Sequence, residues 1–263
     1  MGSRERLADT KRSLFAGGAA AVLNVRDDVS RLRAAKLSNP PRWFGFGDAG
    51  LPGIHERERG VFLRDRHTLM LAENRDTQTY HLDARLPGDY NLENLAAALA
   101  GALELGCEVE LLVEAVQHLE LPSGRYERSE LGNGMHVVFD AYNASMSGMI
   151  ATLDAFAQEP AARRIAVLSS MAELGPEASQ MHVTVGAHAA GLPIDVLLVG
   201  GEFAEQLALG ALEAGMPESR VVRFENNLDA TSWIKEYANR DDIVLLKGSR
   251  MYKLEQVLEG LRA

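Results

Sequence analysis

The sequence is short of most features that would fix its chemistry at a glance. It has one cysteine, Cys107, so no disulfide can form within the chain, which suits a reducing compartment. No apolar run reaches the roughly 20 residues of a membrane-spanning helix. The stretch from Met1 to Arg12 carries too much charge for a signal peptide. These absences set the expectation of a soluble, cytoplasmic protein without a membrane partner. There is no internal repeat and no low-complexity tract. Zinc has no cysteine cluster to bind, and His182 and His188 lack the i, i+4 spacing of a metal pair. No G-x-x-x-x-G-K-[ST] phosphate-binding loop occurs in the 263 residues, and neither Gly17-Gly18 nor Gly200-Gly201 fits one. Base is also in deficit: 27 Lys and Arg stand against 37 Asp and Glu, a formal net charge of -10. A diffuse acidic surface repels phosphate backbones, which argues against a nucleic-acid partner. A nucleotide pocket stays open, because it needs only a few local groups.

What is present is an ordinary globular balance, 46% hydrophobic and 24% charged, in a chain long enough for one large or two ordinary domains with a substantial core. Residues 4–16 look helical, and Ala19–Val25 and Arg42–Gly47 look like strands. Gly60–Leu63, His67–Leu71 and Thr77–Leu82 suggest short antiparallel strands. After a turn at Pro87-Gly88-Asp89, an Ala- and Leu-rich helix is expected over Asn91–Leu105, stopped by Gly106, and a second over Val109–Leu119. Leu121-Pro122-Ser123-Gly124 reads as a linker, dividing the chain at 1–121 and 122–263. Beyond it, near-continuous Val/Ile/Leu strands (137–140, 164–169, 195–200, 220–224, 242–246) alternate with helices (146–158, 180–191, 202–214, 227–239, 253–261). This predicts an α/β fold with a mainly parallel sheet covered on both faces. Ligands of such sheets sit beyond the carboxyl ends of the strands, so the residues after Asp140, Ser169 and Leu246 draw attention.

Asp140 opens Asp140-Ala141-Tyr142-Asn143-Ala144 at such a strand end. Its carboxylate can accept two hydroxyl hydrogen bonds from a ribose, or it can simply cap the next helix. Lys247-Gly248-Ser249-Arg250 follows another buried strand. Glycine permits close approach, and the two cations suit phosphate or carboxylate, although a solvated turn would read the same way. Asn91 and Asn94 stand at the start of the Ala-rich helix: Asn91 is a natural N-cap, while Asn94, one turn further in, carries an amide able to pair with an adenine edge. Arg125, just past the linker, can reach nucleotide phosphates or can be merely solvated.

Taken in order, these stretches resemble the Mur ligase family. Its D-S-Y-N-A-N-P pattern appears as DAYNASM over 140–146, and its V-L-G-D-M-x-E-L-G as VLSSMAELG over 167–175, with His182 nearby. Its V-K-G-S-R reads LKGSRMYKLE over 246–255, and its G-x-H-N-x-x-N-A-L-A-A-A reads GDYNLENLAAALA over 88–100. Gly124, Arg125 and Glu127 match a G-R-x-E crossing, and GSRERLADTKRSLFAGG before VLNVRDD resembles a stretch ending in N-A-D-D. The YNA and KGSR motifs set the chain apart from folylpolyglutamate and cyanophycin synthetases. Departures are Tyr90 for a family histidine, Ser145-Met146 for Asn-Pro, and Ser169-Ser170 for Gly-Asp.

The resemblance implies that the chain is the last part of a central ATP-binding domain (1–121) followed by a Rossmann-like C-terminal domain (122–263). It implies ATP and Mg2+ as cofactors, with UDP-N-acetylmuramoyl-peptide and D-alanyl-D-alanine as partners. By the same resemblance Asn94 contacts adenine, Asp140 the ribose, and Arg125 the phosphates, with Tyr142 and Asn143 lining the nucleotide side. Lys11 matches a lysine often carbamylated to help hold magnesium. Lys247, Ser249 and Arg250 match the site of the incoming dipeptide and the acyl intermediate; Lys11, Arg125 and Lys247 would act in the reaction itself. A separate chain would supply the phosphate-binding loop, and this chain alone is expected to be inactive. The alternative is a non-catalytic remnant that binds a nucleotide or a partner. The second half is expected to fold alone and the first to be less stable.

Overall fold

The computed structural model describes residues 9–10, 13–15, 17–47, 59–74 and 76–263. The chain divides into two compact units, Met1–Glu120 and Leu121–Ala263.

In the first unit, β1 (Val22–Asn24), α1 (Asp28–Ala34), β2 (Arg42–Phe46), β3 (Arg59–Asp65), β4 (Thr68–Glu73) and β5 (Asp76–His81) precede α2 (Asp89–Glu104) and α3 (Val109–Val116). The sheet order is β1-β2-β3-β4-β5. The first three strands are parallel, and β3, β4 and β5 form an antiparallel meander. Alternation along β3 sends Phe62 to one face, where it packs with Val25, Trp43, Met70 and Ala72, and buried Val61 and Leu63 to the other. Arg42, buried at the start of β2, is paired with Glu73 and lies 2.6 Å from Glu104. Arg59 also reaches Glu104, at 2.6 Å. A charge can stay inside here because two carboxylates meet it.

One expectation for this unit changes. The Ala-rich helix begins two residues before Asn91, because Gly88, at φ +70°, turns the chain into it. Asn91 is therefore inside the first turn rather than the cap, and its amide donates to the Pro87 carbonyl at 2.8 Å. The helix expected over 4–16 falls mostly outside the described residues; Ser13–Phe15 is a 3-10 turn.

The second unit runs β6 (Glu127–Glu130), β7 (His136–Asp140), α4 (Met146–Ala157), β8 (Arg164–Ser169), α5 (Ala178–Ala190), β9 (Val196–Gly200), α6 (Ala204–Glu213), β10 (Val221–Arg223), α7 (Asn227–Tyr237), β11 (Ile243–Lys247) and α8 (Glu255–Arg262). Its sheet order is β10-β9-β8-β11-β7-β6. The sheet is mixed rather than purely parallel: β10 through β7 run parallel, and β6 adds an antiparallel edge. Val137, Phe139, Ile165, Val167, Leu198, Val244 and Leu246 point to one face and pack with Ala230 and Ile234 of α7 and Val257 and Leu258 of α8. The intervening residues, among them Val138, Ala166, Leu168 and Leu245, face the opposite side and are fully buried. Two glycines let α5 and α6 touch backbone to backbone. A Cβ on Gly186 would stand 2.0 Å from the Leu207 carbonyl oxygen, and one on Gly210 would stand 1.9 Å from that of Val183.

Candidate functional site

The candidate site lies at the carboxyl edge of the second sheet, and strand parity builds it. In the parallel register Lys247 stands opposite Asp140. Both share the parity of Val138 and Leu245, so both side chains leave the last rung on the same face. Lys247 Nζ lies 3.3 Å from Asp140 Oδ2. It also donates to the Asn143 carbonyl at 2.7 Å, across the loop from β7 to α4. Thr152, two turns into α4, donates its hydroxyl to the same Asp140 Oδ2 at 2.6 Å. All three side chains are buried: Asp140 is 5%, Thr152 1% and Lys247 3% exposed. Burial pushes the Lys247 ammonium below the usual lysine range, Asp140 pulls it back, and Arg125 adds to the depression. Asp140 does not cap α4; Ser145 does, accepting from the Gly148 N–H at 3.2 Å.

Arg125 and Tyr142 meet above this cluster. The exposed guanidinium sits 4.6 Å from the centre of the Tyr142 ring, itself half exposed. The backbone that presents Arg125 is held on both sides. Gly124 has φ +75°, accepts from the Tyr142 N–H at 3.2 Å, and donates to Glu127 Oε2 at 3.1 Å. Tyr126, at φ +52°, is anchored by its hydroxyl to Glu159 Oε1 at 3.0 Å. A non-glycine residue in that region costs energy, which its buried anchor offsets.

On the other side of β11, Ser249 is buried, and its N–H donates to the Ser170 carbonyl at 3.2 Å. Arg250 is exposed, 3.8 Å from Glu255. His182 is fully buried and supports the loop after β8. Its Nε2 accepts from the Met171 N–H at 2.8 Å, and its Nδ1 donates to the Ala178 carbonyl at 2.6 Å. Burial lowers its pKa and keeps the ring neutral.

The structure therefore brings Asp140, Asn143, Lys247, Arg125 and Tyr142 together within the second unit. Lys247, expected at the dipeptide site, has its ammonium directed to groups of its own unit. Asn94 is exposed on α2 of the first unit, and Lys11 lies outside the described residues. Sequence reasoning misses Thr152: it lies twelve positions after Asp140 and beyond the DAYNASM motif, and only the path of α4 joins them. Among the described residues no group of three or more His, Cys, Asp or Glu is placed to hold a metal ion, and no helix is long and apolar enough to cross a membrane.

Comparison with known proteins agrees with the motifs. The profile of the Mur ligase glutamate ligase domain matches residues 124–250. The chain is 32% identical to UDP-N-acetylmuramoyl-tripeptide--D-alanyl-D-alanine ligase of Mycobacterium bovis, over 100% of this chain and 55% of that protein. Its fold is similar to that of MurF from Acinetobacter baumannii, with TM-score 0.79 and 22% identity over 99% of this chain and 56% of the other. It is likewise similar to Thermotoga maritima MurF ligase in complex with ADP, with TM-score 0.73 and 22% identity over 99% of this chain and 58% of that one. The chain spans about half the length of the curated relatives it matches. It belongs to the Mur ligase family and corresponds to roughly the C-terminal half of the full-length members.

Proposed function

We propose that this chain forms the nucleotide-facing and acceptor-binding half of an ATP-dependent amide ligase of peptidoglycan synthesis, acting in the cytoplasm. In this reading the first unit is the end of a central ATP-binding domain, and the second is a Rossmann-like C-terminal domain. The reaction is addition of D-alanyl-D-alanine to a UDP-N-acetylmuramoyl-peptide. The γ-phosphoryl group of ATP passes to the peptide carboxylate and ADP leaves. The dipeptide amine then attacks the acyl phosphate, an amide bond forms, and inorganic phosphate departs.

The observation that carries this reading is the convergence of Asp140, Asn143 and the Arg125–Tyr142 pair at one carboxyl sheet edge. Asp140 Oδ2 takes both the Thr152 hydroxyl and the Lys247 ammonium, so Oδ1 is the oxygen for a ribose hydroxyl. Arg125 supplies fixed charge for phosphates, and Tyr142 supplies a ring face beside it. Asn94 is the proposed adenine contact, while Ser249 and Arg250 are the proposed contacts of the incoming dipeptide. Magnesium would neutralise phosphate charge in such a reaction; the described residues provide no cage for it, and Lys11, carbamylated so that it offers an oxygen, is the proposed contribution of this chain.

The phosphate-binding loop missing from the 263 residues bears on the test. Purified alone, the chain is expected to form no amide and release no ADP, for want of a cradle for the β- and γ-phosphates. Supplied in trans with a Mur-type fragment bearing the loop, together with ATP, Mg2+ and a UDP-N-acetylmuramoyl-peptide to accept the phosphoryl group, it is expected to release ADP in proportion to added D-alanyl-D-alanine. Binding of ADP without turnover in either setting would instead support a nucleotide-binding module, and absence of both would overturn the nucleotide reading.

A further inference from the structure

Lys247 belongs to the motif that resemblance places against substrate, yet its surroundings are those of a structural cation. The side chain leaves the last rung of β11 on the face covered by α4, not toward open solvent. Its Nζ is within reach of two oxygens of its own unit, the Asn143 carbonyl at 2.7 Å and Asp140 Oδ2 at 3.3 Å. These two oxygens stand at either end of a short stretch: Asp140 closes β7, and Asn143 lies in the loop leading to α4. One ammonium therefore ties the start of that loop to its middle. Thr152 adds a tether from the far side, because its hydroxyl meets the same Oδ2 at 2.6 Å and fixes the carboxylate plane. The segment so held carries Tyr142, the ring under Arg125.

We infer that Lys247 is a positioning residue: with Thr152 it clamps the 140–144 segment to the sheet edge, aiming Asp140 Oδ1 and the Tyr142 ring, and does not itself contact the incoming substrate. The inference deepens the proposed nucleotide site but is tested apart from it. A buried ammonium already hydrogen-bonded to a carbonyl and a carboxylate is a poor ligand for a further anion, since recruiting it would strand Asp140 Oδ2 and the Asn143 carbonyl. The alternative, an ammonium held in reserve for the acyl intermediate, requires it to be reachable from solvent.

The first measurement uses the unaltered full chain. Its lysines are Lys11, Lys36, Lys235, Lys247 and Lys253, of which Lys36, Lys235 and Lys253 are exposed. Limited acetylation with a succinimidyl ester, read by mass spectrometry, is expected to modify Lys247 at least about tenfold more slowly than Lys235 or Lys253. Modification at the same rate would overturn the clamp. The second measurement is amide exchange at Tyr142, whose N–H donates to the Gly124 carbonyl. Thr152→Val is expected to raise that exchange about tenfold while amides of β8 and β9 hold their protection, and Thr152→Ser is expected to restore it. Unchanged exchange in Thr152→Val would also overturn the proposal. Titration with ADP reads the other question: no binding by the unaltered chain removes the nucleotide assignment and leaves the labelling and exchange results standing.

Discussion

The two units solve the same problem with different means. The second hides a long hydrophobic sheet under helices on both faces, with glycine-lined contact between α5 and α6, and its buried Lys247–Asp140 pair lies at the end of the strands. The first packs an apolar cluster around Phe62 and Trp43 on one face of its sheet, and on the other face it seats a buried arginine between two glutamates. Apolar packing tolerates little change of shape, whereas an ion cluster tolerates little change of charge. The units should thus fail to different insults, and variants chosen for each mechanism separate them.

The largest effect is expected from Gly210→Val. Its side chain would collide with the Val183 carbonyl, which cannot yield because it is helix backbone. Destabilisation of the second unit by about 3 kcal/mol or more is expected, seen as a lower denaturant midpoint for that unit alone. Arg42→Met should strike the first unit instead. It leaves Glu104 with Arg59 only and costs about 2 kcal/mol, because Glu73 remains partly solvated. Equal shifts of both units by either variant would erase the distinction.

His182 adds a pH dependence confined to the second unit. Its folded pKa is lowered, so below the ordinary histidine range the unfolded chain binds a proton that the folded chain refuses. Stability is therefore full above that range and falls as pH drops through it. His182→Gln should flatten this slope in a series of unfolding curves; an unaltered slope would place the acid sensitivity elsewhere. The smallest effect belongs to Asn226→Ala, which removes the capping box that Asn226 and Asp229 form at the start of α7. A loss of about 1 kcal/mol is expected from thermal unfolding.

Much of the second unit is legible in the sequence because buried parallel strands are apolar runs. Arg164–Ser169 is read from RIAVLS without adjustment, and the strands after it shift by a residue or so. What escapes is polar or long-range. β6, with the sequence Glu-Arg-Ser-Glu, has no apolar alternation to mark it as a strand. The helix α1 is seven residues long and has no buried residue, so no periodic stripe announces it. At the site, strand ends point to Asp140 and Lys247, but parity and register decide that they meet. Thr152 is invisible until α4 folds back over the sheet.

The character that concealed β6 has a colloidal consequence. β7 is buried along almost its whole length, and left at the border of the sheet it would offer another chain a sticky hydrogen-bonding template. β6 takes that border position antiparallel to it, with Glu127, Arg128 and Glu130 along a four-residue strand. Charge and brevity make it a poor seed for further pairing. The strand thus acts as an insulating selvedge, keeping neighbouring copies from stitching together at the concentrations of a crowded cell.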